Sequence, residues 1–72
     1  MTVFNERFNQ VIQKSNLKQV EIANKLEIFP QTLSKYIHGN SGMSIETLSK
    51  FCKEFNVSAD WLLGLSDKID LE

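Results

Sequence analysis

Gln31 and Lys35 stand four residues apart, with Thr32 and Ser34 between them, in the run Pro30-Gln31-Thr32-Leu33-Ser34-Lys35. On a helix that spacing puts the two long polar side chains one turn apart on a single face, with the hydroxyls beside them. The chemistry open to such a set is recognition by hydrogen bonding. A glutamine amide can bond bidentately to adenine, an ammonium can reach O6 and N7 of guanine, and the threonine methyl can touch a thymine methyl. Taken alone, the same face is also what any solvated helix presents.

Covalent and metal chemistry find no comparable set. His38 is the single histidine and has no second ligand at metal spacing, so it reads as plain surface or as a phosphate contact. Cys52 is the only cysteine; it can form no internal disulfide, and its place on an apolar stripe marks a buried, inert thiol. No glycine-framed serine offers a nucleophile elbow. With 72 residues there is room for one small domain and none for a walled catalytic cleft. Neither an enzyme, nor a metal, nor a cofactor, nor a small-molecule ligand is expected.

The elements that must position the polar face follow from periodicity. Apolar residues make up 42% of the chain and charged ones 24%, the balance of a soluble globular protein, and the apolar positions recur at three and four rather than at two. An all-α fold of five helices results. Phe4, Phe8, Val11 and Ile12 stripe a first helix from about Thr2 to Ser15. Val20, Ile22, Ala23 and Leu26 form the inner side of a short second helix. Pro30, suited to a first helical position, opens a third that ends at Gly39, with Leu33, Tyr36 and Ile37 inward. Ser44 caps a fourth, striped by Ile45, Leu48, Phe51, Cys52 and Phe55. Ser58 and Asp60 open a fifth, Ala59 to Leu63, closed by Gly64.

Helices of about eight residues joined by a three-residue turn are too short to stand alone in water, so packing must hold them. Ala23 is small enough to let the third helix cross the second closely. Ile28, apolar in an otherwise polar turn, reads as a plug into the core. Together they describe a helix-turn-helix. The segments LKQVEIANKLEIFPQTLSKYIHGN and SIETLSKFCKEFNVSADWLLGL resemble the lambda-repressor-like domains of the Xre and phage Cro/CI family over residues 4 to 65. The match rests on Gln19, Ile22-Ala23, Leu26, Ile28, Leu33, Gly39 and the closing FNVSADWLLG. The chain departs from the family where Glu27 replaces a frequent turn glycine and where Lys18 and Phe29 replace Ser or Thr caps. Further departures are Ile37, in place of a frequent glutamate, and Pro30, in place of a base-reading glutamine.

The resemblance implies a compact domain over 1–65 that binds double-stranded DNA as a transcriptional regulator and repressor. Its third helix would lie in the major groove, with Gln31, Thr32, Ser34 and Lys35 against base edges. Gln19 would hold a phosphate at a helix N-terminus, with Lys14, Lys18, His38, Asn40 and Ser41 as further phosphate contacts. It also implies a homodimer on a palindromic operator, with Trp61, Leu62 and Leu65, joined by Leu63, Ile69 and Leu71, as candidate contacts; the alternative is that these residues finish the monomer core. Residues 66–72 read as an acidic tail or linker whose last dipeptide, Leu71-Glu72, is either native or a cloning scar, and the sequence leaves open whether the chain stands alone or is the N-terminal piece of a longer repressor. A different class, a protein-gripping or antitoxin-like module on the same fold, would need an apolar, aromatic centre rather than Gln, Ser and Lys. No apolar run approaches a membrane span, and a cytoplasmic location is expected.

Charge distribution fits DNA better than the total does. The formal net charge is −1, yet residues 14–40 carry four lysines against two glutamates, while residues 41–72 carry three lysines against six acids. The positive excess lies on the second and third helices and their flanks.

Overall fold

Each helix begins at a residue whose backbone is extended, and three of these residues accept from the helix's own first turn. The computed structural model describes residues 2–71 and contains, among them, α1 (Val3–Ser15), α2 (Gln19–Leu26), α3 (Pro30–Ile37), α4 (Ile45–Phe55) and α5 (Ala59–Leu62). Thr2 Oγ1 accepts from Asn5 N–H, Ser44 Oγ from Thr47 N–H and Ser58 Oγ from Trp61 N–H. Lys18 and Phe29, which precede α2 and α3, supply no side-chain cap. Glu21 compensates in part by accepting from the Lys18 N–H at 3.0 Å, one half of a capping box.

The helix ends share a device. Asn16, Glu27 and Asn56 take left-handed backbone after α1, α2 and α4 with φ of 59°, 57° and 52°. The next residue in each case, Leu17, Ile28 or Val57, is apolar and turns into the core. At the ends of α2 and α4 the N–H of that residue donates back five positions, Ile28 to Ala23 O and Val57 to Cys52 O, both at 3.0 Å. Direction reversal and core filling are thus done by adjacent residues.

Phe8 is the centre of the core. Its ring lies 4.7 Å from Phe51, 5.9 Å from Phe4 and, edge-on, 6.4 Å from Tyr36. Ile22, Leu26, Leu33 and Leu62 are fully buried around it. Cys52 belongs to this cluster, and burial pushes its thiol pKa up, which suppresses the thiolate.

Four expectations require correction. Val20 is 52% exposed and Ile45 84% exposed, so neither first-turn residue reaches the core. Trp61 and Leu62 finish the monomer core at 6% and 0% exposure, so neither has surface to offer a second copy. The tail after residue 65 is not free: Ile69 packs on the core and Ser58 N–H donates to Ile69 O at 2.8 Å. Val57 and Asp70 form an antiparallel bridge. A boundary at residue 65 therefore cuts through packed structure. Glu72, the other end of the suspected cloning dipeptide, lies outside the described residues.

Candidate nucleic-acid interface

The site is built on the α2–α3 crossing. Ala23 is fully buried beneath it, with Leu26 and Leu33 on either side. Glu27, in left-handed backbone, sends Ile28 down and leaves Phe29 outside. The Glu27 carboxylate is paired across the turn with Lys50 of α4, which holds its pKa below the usual carboxylate value through the hydrogen bond and then the charge. An acid that would otherwise repel phosphate at the helix-turn-helix is thereby offset by a lysine.

Pro30 occupies the first turn of α3, where an N–H would have no helical partner. Burying Leu33 and Tyr36 turns Gln31 and Lys35 to solvent, and Thr32 and Ser34 stand half-buried beside them. Among the described residues neither Gln31 nor Lys35 bonds to another side chain. Gln31 and Lys35 are free in this respect, while the Ser34 hydroxyl lies 3.4 Å from the His38 ring.

The far end of α3 is tied down by α1. Asn5 Nδ2 donates to Tyr36 O at 2.9 Å and to Ile37 O at 3.0 Å, and Asn9 Nδ2 donates to Ile37 O at 2.8 Å. Gly39, at φ +72°, then reverses the chain directly over the Asn5 amide; a Cβ there would sit 3.3 Å from Asn5 Cγ. The positive φ and the close approach together favour glycine here. Asn40 N–H closes the turn onto Lys35 O at 2.9 Å, which fixes the loop carrying Asn40 and Ser41.

The proposed contacts are not all brought together. Lys18 and Gln19, at the start of α2, and His38, Asn40 and Ser41, after α3, are all exposed on the helix-turn-helix segment and its following loop. The His38 ring folds back, with Nδ1 2.8 Å from Ser34 O, so Nδ1 carries the proton donated there and Nε2 is the nitrogen left to face outward. Lys14 stands apart: it lines a shallow cleft with Phe55, Asn56, Ile69 and Asp70, and no residue of α2 or α3 borders that cleft. Of the dimer candidates Leu65 is 75% exposed, and Leu63 and Leu71 are about half exposed.

Sequence reading missed Asn5, Asn9 and Arg7. Arg7 of α1 stacks its guanidinium 5.0 Å from the Trp61 ring centroid and donates to Trp61 O and Ser66 O, joining α5 and the tail to α1. The available signal was two asparagines at i and i+4 next to the apolar stripe. Among the described residues no three His, Cys, Asp or Glu side chains cluster as metal ligands, and no helix is long and apolar enough to cross a membrane.

Residues 5–68 match the family described as a helix-turn-helix domain. The chain is also similar, at 34% identity over 74 aligned residues, to the Repressor protein CI of Enterobacteria phage phi80. All of the chain is covered in that alignment, but it spans 31% of the phage protein's length. No solved structure is matched significantly.

Proposed function

Because the chain belongs to the helix-turn-helix domain family, among its Xre and phage Cro/CI-like members, we propose that it binds double-stranded DNA as a transcriptional repressor and reads the major groove with α3. The observation that carries the reading is the outer face of α3. Gln31 and Lys35 are exposed and unengaged while the opposite face and the C-terminal end of the helix are fixed, so the backbone that presents the recognition groups is held in place before binding. Gln31, Thr32, Ser34 and Lys35 meet base edges. Gln19, Lys18, Asn40, Ser41 and His38 hold phosphates on either side, and Lys14 contributes only if the duplex bends toward the tail cleft. The role is binding, not catalysis, in the cytoplasm where the DNA is.

Two copies act on a palindromic operator. The dimer contact falls to Leu63 and Leu65, with Val3 beside them, since the Gly64 backbone lies against the Val3 side chain. A salt titration tests the reading. Affinity for duplex DNA should fall by orders of magnitude between about 50 and 200 mM salt through counterion release. A tight, salt-insensitive interaction with a protein partner and none with DNA would replace it with the protein-gripping alternative.

A further inference from the structure

Phe29 is the most exposed aromatic side chain on the helix-turn-helix, at 76% of its free surface, and it immediately precedes the first residue of the recognition helix. The position is unfavourable twice over for the isolated domain. An aromatic ring is left in water, and the residue that should accept from the free N–H groups of α3 has no group to do so. The core does not need it, because the neighbouring Ile28 fills that role. Pro30, next along, is also exposed and carries neither a side-chain donor nor a backbone N–H. The leading tip of α3 is therefore apolar for two residues before Gln31 begins the polar face.

A base edge in the major groove presents donors and acceptors at every pair, and its one apolar group is the C5-methyl of thymine. We propose that Phe29 is a specificity-determining residue that packs its ring on a thymine methyl, one base step outside the position read by Gln31. The inference rests on the reading of α3 as the groove-entering helix. Thymine is preferred there because cytosine, in the same orientation, offers only its amino group to the ring and would be desolvated without a partner.

The experiment replaces that thymine in a selected site by uracil, which deletes the methyl and nothing else, and measures affinity by fluorescence anisotropy for the unaltered protein and for Phe29→Ala. The unaltered protein should bind the uracil site about fourfold more weakly per half-site, the worth of one buried methyl. Phe29→Ala should bind both sites equally, at the level of the unaltered protein on uracil or below. Replacing a cytosine at the same position by 5-methylcytosine should raise affinity about fourfold for the unaltered protein alone, the share of the methyl. Phe29 is exposed, so the variant should keep its melting temperature, and circular dichroism checks that it does. Equal binding of thymine and uracil by the unaltered protein at every position overturns the proposal, as does a thymine preference that survives in Phe29→Ala and disappears in Thr32→Ala. Failure of the unaltered protein to select any duplex would instead overturn the reading of α3 on which the proposal stands.

Discussion

Removing the two α1 asparagines together should cost more than the sum of removing each. Asn9→Ala deletes the 2.8 Å bond to Ile37 O but leaves the one from Asn5, a loss of about 0.5–1.5 kcal/mol. Asn5→Ala deletes two bonds, yet Tyr36 O keeps Gly39 N–H at 3.2 Å and Ile37 O keeps Asn9. Asn5 Oδ1, buried and without a partner, disappears with it, so the loss is about 1–3 kcal/mol. The double variant leaves Ile37 O with neither partner. Its desolvation then appears as a coupling of about 1 kcal/mol, at the low end because Ile37 is only half-buried. Against a total of about 4–11 kcal/mol expected for 72 residues, the double variant gives up a large share. Urea unfolding of the four proteins, followed by helical circular dichroism, measures the cycle. Additivity within about 0.3–0.5 kcal/mol would refute the claim that the asparagines share one carbonyl and jointly hold α3.

Other perturbations separate the remaining supports. Arg7→Met keeps most of the aliphatic stem and loses its bonds to α5 and the tail, so it should cost about 2 kcal/mol and shift Trp61 fluorescence. Glu27→Gly relieves a left-handed residue that carries a Cβ and should raise the melting temperature by roughly 4 °C despite the lost pair with Lys50. Glu27→Gln addresses the charge alone. Because pairing lowers the Glu27 pKa, its contribution is present above the usual carboxylate range and is lost as pH falls through the lowered value. The stability gap between the two proteins should therefore narrow as pH falls through the carboxylate range and close only below the ordinary value of 4.5. Leu65→Glu should leave the melting temperature of the monomer unchanged and abolish dimers in sedimentation runs; an unaltered dimer would move the interface elsewhere.

Much of the fold was legible because it is local. The 3.6-residue period of Phe4, Phe8 and Val11, the Ser44 and Ser58 caps, Pro30 at the head of α3 and Gly39 after it each act within a turn of their own position. Ala23 and Ile28 could be placed for the same reason: a close crossing needs a small residue, and an apolar residue in a polar turn needs somewhere to go. What escaped depends on partners far along the chain. Asn5 and Asn9 meet carbonyls 28 to 32 residues away, and Arg7 meets oxygens 54 and 59 residues away. A polar side chain does not announce which distant carbonyl it will serve. Val20 and Ile45 misled because periodicity assigns a face but not how much of it the rest of the chain covers. The tail misled because its acids suggested a solvated linker, while Ile69 packs on the core and backbone bonds to Asn56 and Ser58 fold it back.

The central claim is that α3 reads base edges through Gln31 and Lys35. Selection of bound duplexes from random DNA, run in parallel with the unaltered protein and with Gln31→Ala, tests it most directly. The unaltered protein should enrich two inverted half-sites about one helical turn apart. Gln31→Ala should lose preference at one position of each half-site, at a cost of about 1–3 kcal/mol, and keep the others. An identical enriched sequence from both proteins would contradict the account.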